Sequence, residues 1–295
     1  MTSSKPNFSK IGVIGREGSL QVVDSLNAVV SSLKHYSVDL MLDLPTSELL
    51  SGAECEVLDR SSLGKYCDLI IVVGGDGSLL SVGRDLAHTG VPVLGVNRGG
   101  LGFLADISPE NIDDSLKEVM NGEFVIENHF LLTAEILRDG VSIEHSLALN
   151  DVVVHLGGAS KIMEFSVWVD RQFVYDQRSD GLIVASPTGP TAYSLSAGGP
   201  IMHPALDAIL LVPMFPHTLT SRPLVIPSHS EVEIIVGQAA EISCDSQIDF
   251  RLEHGDHVKV SKAKDPLRLI YSLGHSFYDS CRSKLDWATR LGGNR

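Results

Sequence analysis

The chain has 295 residues, 43% of them hydrophobic and 20% charged, and a formal net charge of −14 at pH 7. That length holds one or two domains with ample material for a core. The acidity repels nucleic-acid phosphates and anionic membrane surfaces and excludes both as bulk partners, but it leaves room for a small anionic ligand held by a few local cations.

Residues 1–10 are polar and lack the apolar segment of a signal peptide. A strand is expected over 11–14. Val23, Leu26, Val30 and Leu33 then recur at spacings of three and four, the stripe of an amphipathic helix. Apolar runs at 38–42, 69–73 and 93–96 read as strands, the second continuous and β-branched, as a strand buried on both faces should be. Residues 78–87 read as a helix. Ser108-Pro109 starts another, with Ser as cap and Pro in its first position, and Asn121-Gly122 ends it. This β-α-β rhythm predicts a parallel sheet with helices on both faces. After about residue 125 the rhythm changes. Strands are expected at 130–137, 142–149, 152–155, 165–169, 173–175, 181–185, 231–236, 241–244 and 257–260. Turns such as Arg138-Asp139-Gly140 and His254-Gly255-Asp256 separate them, a pattern that predicts an antiparallel sandwich. A closing helix is expected over 277–290. The domain reading is an α/β unit at 1–127 together with 268–295, and a β-rich unit at 128–267.

The longest apolar stretches, such as 69–73 and 208–215, are too short to cross a bilayer. The four cysteines, Cys55, Cys67, Cys244 and Cys281, show no C-x-x-C spacing and read as reduced thiols. Together these point to a cytoplasmic protein. The eleven histidines form no H-E-x-x-H or Cys/His pattern, so no structural metal is expected.

Chemistry concentrates where the strand at 69–73 runs into Gly74-Gly75-Asp76-Gly77. Ligands of open parallel sheets bind at the carboxyl ends of the strands. Glycines there let backbone N–H groups approach phosphates, and the next helix offers its N-terminus to an anion. A carboxylate in that place would repel a phosphate. It makes sense if it orients or deprotonates an acceptor hydroxyl, or meets the divalent cation that accompanies phosphates. The bland alternative is a tight turn in which Asp76 caps the helix. A second glycine cluster, Gly95-Val96-Asn97-Arg98-Gly99-Gly100-Leu101-Gly102-Phe103-Leu104, follows another strand and reads as an opposite wall.

In the second half, Asn150-Asp151 joins two strand-like runs. Asp can accept two hydroxyls, as ribose recognition requires, and Asn can donate and accept together; alone, the pair is more often a turn. Pro187 to Pro200 joins a strand to a short Thr/Ser-rich helix that breaks at Gly198-Gly199-Pro200. Its small and hydroxylated side chains permit close contact with a flat polar ligand, and Tyr193 can stack or pack beneath it. Arg178 and Asp180 pair a cation with a carboxylate just before. Cys244-Asp245-Ser246-Gln247 reads as a polar hairpin turn.

Taken together these segments resemble the NAD kinase family. Gly74 to Gly77, Asn97 to Leu104, Asn150-Asp151 and Pro187 to Pro200 match in order, and Asp245-Ser246-Gln247 agrees. The Asn-Asp form and the Ser-Cys-Asp-Ser-Gln segment are similar to the proteobacterial branch. The resemblance implies a Rossmann-like N-terminal domain, a β-sandwich C-terminal domain that binds NAD between the two, and a tail returning to the first. It implies transfer of the γ-phosphoryl of ATP to the 2′-hydroxyl of the adenosine ribose of NAD, giving NADP, with a divalent cation such as Mg²⁺, in a homo-oligomer, often a tetramer. Carried over by motif, Asp76 is the base or hydroxyl-orienting group and Gly77 lies against NAD. Asn150 and Asp151 hold the ribose. Thr191, Ala192, Tyr193, Ser194, Leu195 and Ser196 line the base and nicotinamide pockets, and Asp180 binds the nicotinamide end. Lys161 and Arg178 add positive charge, and Gln247 contacts the ligand from a loop. Ser81 stands where some relatives carry His, which makes ATP rather than polyphosphate the expected donor. Two rivals share the scaffold: a lipid or sugar kinase, against which the charge argues, and a non-catalytic NAD(P) sensor, which has no need of Asp76.

Overall fold

In the computed structural model, residues 8–16, 18–50, 52, 55–98, 102–157, 162–189, 192–218, 220–285 and 287 are described. The chain divides into two units, Met1–Glu127 with Arg268–Arg295, and Asn128–Leu267.

The first unit is built on a seven-stranded sheet. Its order is Glu56–Leu58, Asp39–Asp43, Lys10–Gly15, Leu69–Gly74, Pro92–Asn97, Leu267–Ser272 and Phe124–His129. The first six strands run parallel. From Lys10–Gly15 the chain steps outward twice and then returns to the other side of its first strand. The order therefore reverses between Lys10–Gly15 and Leu69–Gly74, and such reversals open a crevice at the carboxyl ends of the strands. Ile11, Val13, Leu69, Ile71 and Val73 face a core completed by Leu26, Val29 and Leu33 of helix Val23–Leu33 and by Leu116 and Val119 of helix Ile112–Met120. On the opposite face Gly12 lies under Leu63 of helix Arg60–Tyr66. Both faces being covered explains why all six residues of Leu69–Gly74 are buried.

One sequence expectation shifts here. Ser108 makes no side-chain cap: it precedes a single 3₁₀ turn, Pro109–Asn111, closed by the Asn111 amide on the Ser108 carbonyl at 3.0 Å, and the α-helix starts only at Ile112. The closing helix is Phe277–Lys284, and residues 286 and 288–290 of the expected span lie outside the described residues.

The second unit is a pair of six-stranded antiparallel sheets. One runs Gln172–Ser179, Met163–Val169, Val232–Val236, His257–Lys262, Leu132–Arg138, Val141–Ala148; the other Leu224–Pro227, Ala208–Met214, Gly181–Ala185, Asp151–His155, Ala240–Cys244, Ile248–Leu252. Alternate residues of both sheets, such as Phe165, Val167, Ile234 and Val258 with Val152, Val154, Leu182 and Leu211, form one core. The second sheet is also covered on its far face, where Val153, Ile183, Leu210 and Val212 pack with Met202. The Arg138 turn is a hairpin with Asp139 and Gly140 both at positive φ. Arg138 then forms a two-bond pair with Asp256, at 2.9 and 2.8 Å. All four cysteines are free.

Candidate active site

Helix Asp76–Leu86 begins directly after strand Leu69–Gly74, and its N-cap is Gly75. Asp76 is therefore not the cap. Its side chain reaches away from its own helix to the loop that follows Pro92–Asn97. There Oδ2 accepts the Phe103 amide at 2.6 Å, and Oδ1 accepts the amides of Leu104 at 3.1 Å and Ala105 at 3.4 Å. Three donors fix the plane of the carboxylate. A carboxylate has about four lone-pair directions, so one is left for a further donor, such as a hydroxyl. Gly102 is required at this approach: a Cβ there would collide with Oδ1 of Asp76. Arg98, in the same loop, donates its amide to the Gly74 carbonyl at 2.8 Å and tethers its guanidinium to Gln21 and Asp24. Gly77 is exposed on the first turn of the helix. Ser81, one turn further on, accepts from Arg60 Nη1 at 3.1 Å. Gly99, Gly100 and Leu101 lie outside the described residues.

In the second unit, Asn150 is half-buried and Asp151 is 2% exposed. Their backbone is held by a residue from the hairpin joining Ala240–Cys244 to Ile248–Leu252. The Asp245 carboxylate accepts the amides of Leu149, Asn150 and Asp151 at 3.0, 2.7 and 3.3 Å. Asp245 and Ser246 both stand at φ +54° to aim it, a conformation that Asp tolerates better than most residues. The Asn150 carbonyl accepts the Ser186 amide at 2.9 Å. Gly189 passes so close to it that a Cβ would strike that carbonyl. The loop from Ser186 to Gly189 is thus packed onto the Asn150-Asp151 turn, and His129 braces it through Thr188 at 3.0 Å. Burial, with the nearby Asp245 charge second, pushes the Asp151 carboxyl up to about 7. Near neutrality Asp151 can therefore donate as well as accept.

The short helix is one turn, Tyr193–Ser196, entered from Ala192. Ser194 is fully buried, its hydroxyl on the Gly189 carbonyl at 3.3 Å, while Tyr193 presents its ring at 43% exposure and Ser196 is exposed. Leu195 is half-buried. Asp180 is exposed, with its amide on the Met214 carbonyl at 2.9 Å. Arg178 pairs with Glu164 on the adjacent strand at 3.1 Å, not with Asp180. The reason is register: the strand extends to Ser179, which sets Arg178 opposite Glu164. A cavity of about 820 Å³ opens here, lined by Glu164, Gln177, Arg178, His217 and His254. Gln247 is exposed at the end of the Asp245 turn. Lys161 and Thr191 lie outside the described residues. Asp76 and Gly77 thus stand in the first unit. In the second, Asn150 and Asp151 share one packed cluster with the Ser186–Gly189 loop and the turn carrying Gln247.

Sequence reading missed two supports, the amides of residues 103–105 under Asp76 and the grip of Asp245 on the Asn150-Asp151 backbone. The first has no side-chain signature. The second left a trace in the polar turn at 244–247, whose target lies almost a hundred positions upstream.

Residues 14–124 match the model of the ATP-NAD kinase N-terminal domain, and residues 149–272 that of the ATP-NAD kinase C-terminal domain. The chain belongs to the NAD kinase family. It is 49% identical over 290 residues to NAD kinases from Pseudomonas entomophila and Pseudomonas syringae pv. tomato, covering 97% of this chain and 98% of each relative. Among solved structures it is similar to yeast NADH kinase complexed with NADH, with a TM-score of 0.89 at 22% identity over 100% of this chain and 95% of that one. An NAD kinase from Archaeoglobus fulgidus in complex with ATP superposes with a TM-score of 0.73 at 25% identity, over 94% of this chain and 97% of that one. Membership extends over both units, so the NAD kinase family resemblance read from separated motifs reflects the whole chain. Among the described residues no helix is long and apolar enough to cross a membrane.

Proposed function

We propose that the chain transfers the γ-phosphoryl group of ATP to the 2′-hydroxyl of the adenosine ribose of NAD, producing NADP. The observation that carries this reading is the Asp76 carboxylate. It sits at the switch point of the parallel sheet, held by three amides, with one lone-pair direction left for an attacking hydroxyl. A non-catalytic sensor has no use for such a group.

Phosphoryl transfer depends mostly on positioning and charge neutralisation. Asp76 orients the 2′-hydroxyl and takes its proton late, as the new P–O bond forms and the bond to the ADP oxygen breaks. Asn150 and Asp151 hold the adenosine ribose through hydroxyl hydrogen bonds. Gly77, Ala192, Tyr193, Leu195, Ser196 and Gln247 line the NAD path with Ser194 buried beneath them, and Thr191 and Lys161 take the roles their motif implies. Asp180 takes the nicotinamide end, and Arg178 adds positive charge at the cavity wall.

Among the described residues no group of three or more His, Cys, Asp or Glu side chains could hold a metal ion. Mg²⁺ bound with nucleotides takes most of its ligands from phosphate and water and needs only one or two protein carboxylates, so the ion would enter on the triphosphate, leaving the free direction of Asp76 to the hydroxyl. When bound, the ion neutralises phosphate charge. Assembly as a homo-oligomer and a cytoplasmic location complete the reading.

The test is direct. Purified protein is incubated with ATP, Mg²⁺ and NAD, and NADP is measured with an NADP-specific dehydrogenase. NADP formed in proportion to enzyme supports the reading. Tight NAD binding without NADP would replace it with the sensor.

A further inference from the structure

Lys284 ends the helix Phe277–Lys284. Its amine stands over the ring of Phe103, 4.2 Å from the centroid. Phe103 is also the residue whose amide makes the shortest bond to Asp76, at 2.6 Å. One loop residue thus carries the glycine-turn carboxylate on its backbone and a cation on its ring. Among the described residues no carboxylate forms an ion pair with this amine. Burial lowers its pKa, and the charges of Asp76 and then Asp106 pull it part of the way back.

The segment that delivers Lys284 is braced against the same loop. Strand Leu267–Ser272 lies in the sheet beside Pro92–Asn97. Asp106, next in sequence to the last amide donor to Asp76, accepts the Ser272 amide at 3.4 Å and the Ser272 hydroxyl at 3.2 Å. Its other oxygen lies 3.2 Å from His275 Nδ1, and the His275 ring stacks on Tyr271 at 3.9 Å. Residues 103–106 are therefore held by Asp76 from one side and by the C-terminal segment from the other.

This arrangement answers a problem posed by the glycine turn. A carboxylate beside a triphosphate raises the energy of the bound donor unless positive charge offsets it. A Lys ammonium is a compact point charge well suited to phosphate, and the Phe103 ring holds the amine in place. We infer that Lys284 is the chain's own counter-charge for the donor phosphates beside Asp76, binding the terminal phosphates of ATP from the C-terminal helix. The inference rests on the ATP-dependent reading given above.

The experiment measures equilibrium binding of ATP with Mg²⁺, and separately of NAD, to the full-length protein and to Lys284→Met, Lys284→Arg and Arg282→Met, alongside steady-state kinetics. Met keeps the apolar length of the side chain without its charge and so protects folding. Arg282, on the same helix, pairs with Asp279 near the surface. The loss of a charge-assisted phosphate contact predicts ATP binding weakened about tenfold or more in Lys284→Met, a comparable fall in kcat/KM for ATP, and NAD affinity within about twofold. Lys284→Arg regains most of the ATP affinity, and Arg282→Met leaves both constants unchanged. Lys284→Met with wild-type ATP affinity would overturn the inference, as would an equal loss in Arg282→Met. If the unmodified protein binds ATP but makes no NADP, the activity reading fails while the ATP titration still decides Lys284.

Discussion

Asp76 and Asp151 are the same residue type, the first opening a helix just after a strand and the second opening a strand, each in its own unit, yet their surroundings differ in kind. Asp76 is half-buried, and three amides from a neighbouring loop point at its carboxylate. Asp151 is almost fully buried, and the three amides around its turn point at another residue, Asp245. The carboxyl of Asp151 is left in a desolvated place beside a like charge and rises to about 7. Backbone donors aimed at an acid make it a fixed acceptor. Donors aimed at its neighbour, with burial, make it an acid that near neutrality can both donate and accept. The first suits contact with an attacking hydroxyl in the transition state, the second recognition of hydroxyls in the ground state.

The largest expected effect breaks the comparison at Asp76. Asp76→Asn removes the acceptor but keeps the shape, so kcat should fall by about 10²–10⁴-fold, the usual range for a lost proton acceptor, with KM for NAD little changed. Gly102→Ala should follow, because its Cβ displaces the carboxylate without altering it. A fall in kcat of at least about tenfold is expected, and a variant as active as the parent would show that the cradle is dispensable.

Asp245→Asn tests the other side. Some of the three amides lose their acceptor inside a buried turn, which should lower the stability of the β-rich unit by about 1–3 kcal/mol, read from urea unfolding. Asp151→Asn has a subtler signature. A carboxyl whose folded pKa lies above its unfolded value contributes stability that is full below about pH 4 and lost as pH rises through about 7. The melting temperature of the parent should therefore fall relative to Asp151→Asn between pH 4 and 7, by a few degrees. Parallel curves would remove the buried-acid assignment. The smallest effect belongs to Arg178→Ala. Its ion pair with Glu164 is exposed on both sides, 67% and 60%, so stability should change by less than about 1 kcal/mol, and any rise in KM for NAD would report a ligand contact.

Much of this was legible in the sequence because the responsible signals are local. The β-branched run at 69–73 ending in Gly74-Gly75-Asp76-Gly77 gave the strand, the turn and the carboxylate together. The changed rhythm after residue 125 gave the class of the second unit. Strands Ala208–Met214, Ile248–Leu252 and Leu267–Ser272 lie outside the strands that the sequence pattern predicts. In the first, apolar residues face two cores at once, so the alternation that marks a half-buried strand is absent. The supports of the candidate site were hidden for a different reason. Asp76 is held by backbone amides 27 to 29 positions away and Asp151's turn by a carboxylate 94 to 96 positions away. Lys284 reaches Phe103 from the far end of the chain. Only the return of Leu267–Ser272 to the first sheet brings it there.

The most direct test of the contrast is the NAD dissociation constant of Asp76→Asn and Asp151→Asn, measured by calorimetry beside the parent protein. The expected result is parent-like affinity for Asp76→Asn and a loss of about tenfold or more for Asp151→Asn, as for a buried hydrogen-bonding group removed from a hydroxyl site. Equal loss in the two variants, or loss confined to Asp76→Asn, would contradict the division of labour between the two carboxyl groups.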